Sequence, residues 1–167
     1  MSQTPLVISK TIIEALKSKG FVIQAYISRS TNSVYLKLDY GVCNTIRISD
    51  HEGKKYLQYR YNLLIGGENN ILEEKYIRYF FNEKNITGLL YQILFDKATK
   101  LQKYGKQSYK NFMEKNKSDH QNDKGFWKEA KLVTDAVMPD STWPTIQCLK
   151  PSNVWPYIVT EAKLTKI

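Results

Sequence analysis

Two cysteines and two histidines in 167 residues leave little material for several kinds of chemistry. Cys43 and Cys148 lie far apart, so a disulfide framework is not expected and a reducing cytosol is the simplest setting. The soft and imidazole ligands are Cys43, His51, His120 and Cys148, and none forms the close pairs typical of structural zinc sites. Long hydrophobic runs are missing too. The longest, such as Gly88–Phe95, falls far short of the ~20 residues a membrane helix needs. Met1 to Lys10 shows no basic segment followed by an apolar core, so no secretory signal is expected and Asn85-Ile86-Thr87 carries no weight as a glycosylation acceptor. There is no Gly-x-Ser-x-Gly, no Gly-rich phosphate loop and no His-Glu-x-x-His. Negative charge is the scarcer sign, with Asp+Glu 16 against Lys+Arg 25, a net +9 and a pI near 9.4. That balance speaks against a DNA mimic and favours polyanionic partners, whether nucleic acid, a ribonucleoprotein or an acidic protein face.

What is present is an ordinary globular composition, 42% hydrophobic and 25% charged, on a chain long enough for one core. Ile12, Ile13 and Leu16 make a helical stripe that predicts a helix over Ser9 to Lys19, with Ser9 as its cap and Gly20 just past its end. The period then falls to two. Alternation predicts strands over Phe21–Ser28, Ser33–Tyr40, Thr45–Ser49 and Lys55–Leu63, a four-strand antiparallel meander with one buried face. Val34, Leu36, Leu38, Ile46 and Ile48 point inward, while Tyr35, Lys37, Asp39 and Arg47 point outward. Ile71–Asn82 reads as a helix through Leu72, Tyr76, Tyr79 and Phe80. After Asn85, the stripe Ile86, Leu89, Leu90, Ile93, Leu94 and Leu101 predicts the clearest helix, wide enough to cover the sheet. The expected fold is α+β, helix–meander–helix, in two layers over residues 1–104. Residues 105–167 then form a basic helical segment and an irregular Trp/Pro-rich C-terminal arm packed on the same core. In that part a short helix is expected over Phe126–Val137, and short strands at Thr145–Leu149 and Tyr157–Thr160.

Two places invite a functional interpretation. The first is Ser49-Asp50-His51-Glu52-Gly53, between two strands. Neighbours on a strand face opposite ways, so Asp50 and His51 make a poor orienter and base. Turn residues account for the composition, with Asp50 bonding backbone amides and Gly53 supplying a positive φ. Asp39, Asp50 or Glu52 could complete a mixed divalent-cation site with His51, but no cofactor is expected. The second is the basic stretch from Lys97 to Lys131, ten lysines against four carboxylates, a net +6. On a helix continuing past Leu101, Lys103, Lys106, Lys110 and Lys117 share one side, interleaved with Tyr104, Tyr109 and Phe112. Such a stripe either tracks a phosphate backbone or keeps a helix face solvated. Lysine's predominance over arginine suits point-charge contact rather than bidentate base reading. Lys37, Arg47 and Arg60 add charge to the outer face of the meander, near Tyr26 and Tyr35.

The motif Ser33-x-Tyr35 followed by Ile46-Arg47-Ile48-Ser49-Asp50-His51 resembles a module of phage and mobile-element proteins from Gram-positive bacteria. It is most similar to the type II-A anti-CRISPR proteins, inhibitors of the RNA-guided nuclease of type II CRISPR systems. The likeness covers residues 10–100 as topology and Ser33–His51 as residues; the basic helix and the tail have no counterpart in it. It implies a non-catalytic protein of the bacterial cytoplasm that binds the effector nuclease or its guide-RNA complex and blocks DNA loading or cleavage. The alternative is a nucleic-acid-binding accessory protein of a phage or integrative element. On either view Lys103, Lys106, Lys110, Lys117, Lys37, Arg47 and Arg60 are the expected contacts, with no membrane involved.

Overall fold

A computed structural model describes residues 5–28, 33–49, 56–62, 76–82, 86–122, 125–134, 142–149 and 163–165. The fold is α+β, with a helix-flanked antiparallel meander. Helix α1 spans Pro5–Lys17, one turn earlier than the apolar stripe suggests. Proline opens it, where a missing N–H costs nothing. Ser9 is therefore inside the helix, not its cap, and its hydroxyl donates back to the Leu6 carbonyl at 2.7 Å.

Strands β1 (Ile23–Ile27), β2 (Val34–Leu38), β3 (Thr45–Ser49) and β4 (Tyr56–Asn62) form the expected meander. Three further strands widen it: β5 (Tyr76–Asn82), β6 (Lys131–Leu132) and β7 (Lys163–Thr165), in the order β6-β1-β2-β3-β4-β5-β7. Strand β5 corrects the helix expected over Ile71–Asn82. Tyr-Ile-Arg-Tyr-Phe-Phe fits a helical period by accident, but aromatic and β-branched residues favour a pleated surface. The segment pairs with β4 over seven positions, from Tyr56 opposite Asn82 to Asn62 opposite Tyr76.

The helix expected over Phe126–Val137 is likewise absent: a 3₁₀ turn at Gly125–Glu129 leads into β6, and Val137 lies outside the described residues. The unpaired edge of β1 explains this. Val133 donates its N–H to the Ile23 carbonyl (2.9 Å), and the Ile23 N–H reaches the Thr134 hydroxyl (3.3 Å). A buried edge must find such partners, and a short helix could not supply them. Ile146–Cys148 is a 3₁₀ turn rather than the expected strand, and Tyr157–Thr160 lies outside the described residues.

Helix α2 (Ile86–Tyr104) lays Leu89, Leu90, Ile93, Leu94 and Ala98 against Ile8, Ile12 and Leu16 of α1 and the inner face of the sheet. Helix α3 (Lys106–Ser118) follows after Gly105, whose φ of 85° turns the chain. One continuous helix past Leu101 is therefore not formed; glycine takes this left-handed conformation without the Cβ clash other residues meet.

Charge enters this core at one corner. The chain leaves β2 through a 3₁₀ turn, Asp39–Gly41, with positive φ at Asp39 (49°), Tyr40 (55°) and Gly41 (91°). That turn breaks the alternation that would carry Asp39 outward. Asp39 is instead wholly buried, 2.7 Å from the equally buried Lys97 of α2. Its carboxylate also accepts from the Tyr109 hydroxyl (2.6 Å) and the Val22 N–H (2.9 Å). Lys97 donates to the Gly20 carbonyl (3.3 Å) and sits 4.3 Å from the Phe21 ring and 4.4 Å from the Trp143 ring. Trp143 donates its indole N–H to the same carbonyl at 3.1 Å. A Cβ at Gly20 would collide with Thr142 and Trp143, so this glycine serves both its φ of 82° and the close approach of the arm. A second pair, Lys100 and Asp96 (3.2 Å), is tied to Val42 and Asn44 by hydrogen bonds of 2.8 and 2.6 Å.

Removing one member of a buried pair strands the other charge, at about 3–5 kcal/mol. Asp39→Ala is therefore expected to lose about that much stability in urea unfolding, and adding Lys97→Met to recover part of it. A single variant within about 1 kcal/mol of the parent would show the pair to be dispensable.

Burial, then the Asp39 charge, pushes the Tyr109 phenol well above its ordinary 10.0, and burial, then Asp96, pushes the Cys43 thiol well above 9.0. Both are neutral when protonated, so on raising pH the unfolded chain releases these protons first. Stability is full below those ordinary values and falls as pH climbs past 9 for Cys43 and past 10 for Tyr109. Tyr109→Phe should start less stable and then decline less steeply above pH 10. Parallel curves for the two proteins would contradict the assignment.

Candidate nucleic-acid interface

The outer face of the sheet is built by the same alternation that fills the core. On β2 and β3, Val34, Leu36, Ile46 and Ile48 are buried, and Tyr35, Lys37 and Arg47 between them take the other side, half-buried. Cross-strand register sets Tyr35 opposite both Tyr26 and Arg47. The 3₁₀ turn Gly125–Glu129 crosses this face. It stacks Phe126 on Tyr26 at 4.7 Å and sets it 4.5 Å from Tyr35, between ring centroids. Trp127 lies 4.7 Å from Phe126 and meets Tyr35 edge-on at 6.3 Å. Two cations lie against these rings: Lys37 Nζ is 4.8 Å from the Trp127 ring, and the Arg47 guanidinium 5.7 Å from that of Tyr35. Arg47 Nε is buried with no hydrogen-bond partner among the described residues.

The register extends this face across the sheet. One row of paired positions runs Tyr26, Tyr35, Arg47, Gln58, Phe80, Lys163. The next runs Gln24, Lys37, Thr45, Arg60, Arg78, Thr165. Lys37, Arg47 and Arg60 thus occupy neighbouring rows, as the alternation predicts.

The second basic group is on α3. At roughly 100° per residue, Lys106, Lys110 and Lys117 fall within about 40° of one another, and all three are exposed. Lys110 Nζ stands 5.9 Å from the Trp143 ring. The elbow at Gly105 separates these from Lys103, which lies in the last turn of α2 with its Nζ 5.7 Å from the Tyr104 ring, so the stripe expected from Lys103 to Lys117 is divided. Tyr109, expected among the surface lysines, is buried on Asp39. Lys97 and Lys100 also leave the charge count, since each faces a buried carboxylate.

The second half of α3 meets Lys37 at the Asp39–Gly41 corner. Asn116 of α3 donates to the Tyr40 carbonyl at 2.9 Å, and the Cβ position of Gly41 is 3.8 Å from the Lys37 side chain and 4.0 Å from Asn116. The lysine-bearing helix therefore ends beside the aromatic face. Phe126 and Trp127 were not legible as part of this site, because their sequence reads as the start of an amphipathic helix. The one local hint was an adjacent aromatic pair set between Gly125 and Lys128.

Of the resemblance motif, Tyr35 and Arg47 form a cross-strand pair on the outer face, whereas Ile46 is core and Ser49 is buried. Ser33 is fully buried, and its carbonyl accepts from the Ser28 N–H to close the β1–β2 connection (2.9 Å). Asp50, His51 and Gly53 lie outside the described residues. Among the described residues no group of three His, Cys, Asp or Glu side chains could hold a metal ion, and Asp39 is committed to Lys97 and Tyr109. No helix among the described residues is long and apolar enough to cross a membrane. No protein-family model, curated protein or solved structure matches the chain.

Proposed function

We propose that this protein is a non-catalytic nucleic-acid-binding protein, acting through the lysines of α3 and the basic outer face of the sheet. The observation that carries this is the docking of the lysine-bearing helix beside the basic outer face, where Asn116 and Lys37 flank Gly41. Lys106, Lys110 and Lys117 supply point charges along one flank of a docked helix, suited to phosphates spaced along a backbone. Lys37 and Arg47 add charge beside exposed ring surface, a combination common in nucleic-acid grooves. The charge is arranged on two elements that tertiary contacts hold in fixed relation.

A second reading is favoured by one observation. Tyr35 and Arg47, two residues of the stretch similar to type II-A anti-CRISPR proteins, belong to this same surface. On that reading the surface engages a guide-loaded type II nuclease and blocks target loading or cleavage, and the nucleic acid it meets belongs to the effector.

Salt titration of binding to a fluorescent oligonucleotide tests the first reading. The log–log slope should be steep, and Lys106→Gln, Lys110→Gln and Lys117→Gln together should flatten it by about two to three, ~0.7 on a single strand or ~0.9 on a duplex for each phosphate no longer neutralised. A flat profile in the parent protein would end this reading. A cleavage assay with a guide-loaded type II nuclease tests the second. Stoichiometric inhibition only when the protein precedes target DNA would support blocked loading, and no inhibition in either order across several such nucleases would remove it.

A further inference from the structure

Resting on the nucleic-acid reading, we propose that the outer-face cluster of Tyr26, Tyr35, Phe126 and Trp127 selects single-stranded over duplex nucleic acid by taking unpaired bases against its rings. Four aromatic side chains, each 4.5 to 6.3 Å from at least two of the others, sit outside the core, all half-buried. A core aromatic in this protein looks different: Phe21 and Tyr109 are almost wholly enclosed. Keeping four large rings partly wet costs hydrophobic stabilisation unless something covers them. The chemistry around them names the occupant.

An apolar partner would have to desolvate Lys37 and Arg47, whose charges lie within 4.8 and 5.7 Å of the Trp127 and Tyr35 rings. A nucleotide matches both halves, a flat base for the rings and a phosphate for the cations. Arg47 also brings a guanidinium donor, Nε, with no hydrogen-bond partner among the described residues. An acceptor arriving on the patch gives that group a reason to reorient. Bases in a duplex are stacked on one another and hide their faces, so only an unpaired strand can use ring surface of this kind. The lysines of α3 do not discriminate in this way, because phosphates are present in both forms. The selectivity therefore lies in the rings, and general affinity in the helix.

The experiment compares a fluorescein-labelled single-stranded oligonucleotide with a duplex of the same length, by anisotropy at fixed low salt. The parent protein should bind the single strand more tightly, with quenching of tryptophan emission. Stacking contributes about 1–3 kcal/mol per base, so Trp127→Leu and Tyr35→Leu should each weaken single-strand binding about fivefold or more and lose correspondingly more there than on the duplex. The salt slope should stay close to the parent's. Circular dichroism and thermal melting establish that each variant folds. Should either fail, Lys37→Gln and solvent quenching of tryptophan with and without the single strand, in the parent and in Trp127→Phe, supply the comparison, protection lost in Trp127→Phe being the expected result. Equal losses on both forms, or tighter duplex binding by the parent, would overturn the selectivity while leaving nucleic-acid binding intact. No binding of either form at low salt would overturn both. An acidic peptide that competes as well as the single strand and is weakened as much by Trp127→Leu would reassign the patch to a protein partner.

Discussion

The contact between Asp39 and Lys97 determines how this chain is assembled. Two charges at 2.7 Å with no exposure are tolerable only when every remaining donor and acceptor is satisfied. Each partner they recruit comes from a different part of the sequence. Val22 ties in the start of β1, the Gly20 carbonyl the end of α1, Tyr109 the basic helix, and Trp143 the C-terminal arm. A leucine–leucine contact at the same place would hold these elements together without fixing their orientation. Hydrogen-bond directionality does fix it, and here it fixes α3 relative to the sheet.

That orientation is what turns a lysine-rich segment into a surface. Had α2 and α3 run on as one helix, the lysines would project along a rod away from the sheet. Gly105 folds the rod back, Tyr109 anchors it, and Asn116 fastens its far half to the Tyr40 carbonyl. Tyr40 is a bulky residue with φ of 55°, a conformation costing of order 1–2 kcal/mol that persists only where neighbours enforce it. The strained corner is thus stabilised by the helix it positions. Two of the segment's lysines are consumed in building this frame, so the charge offered outward comes from the remainder.

Much of the frame was written in local pattern. Alternation located the first four strands because one face of each is buried and the other wet, and a one-residue error would reverse every side chain. The same alternation put Lys37 and Arg47 on the outer face correctly. It failed at Asp39, where the chain leaves the strand through left-handed backbone and the next residue in the alternation turns inward. It failed again at Lys97, an ordinary surface lysine by local sequence, whose acceptor lies 58 positions earlier on another element. Strand β5 was misread because a dense run of aromatics satisfies a helical and a strand period equally well. Strand β6 was invisible for another reason, being two residues long and formed because β1 has an edge to cover. The aromatic cluster combines these failures. Tyr26 and Tyr35 follow from alternation, whereas Phe126 and Trp127 reach them only through the α3 elbow and the capped edge.

Preorganisation decides what such a surface is worth. Immobilising a long side chain on binding costs about 0.5–1.5 kcal/mol, and a lysine on a solvated rod would meet that cost in full. Lys37 and Arg47 are already held against rings, and part of their freedom is lost on folding rather than on binding. The α3 lysines retain more freedom but share a helix whose position is set by Asp39, Tyr109 and Asn116. Geometry at the rings and charge on the helix are therefore not independent contributions. Loosening the buried pair would let α3 and the 3₁₀ turn that follows it drift from the sheet, weakening the site without altering any residue that touches the ligand.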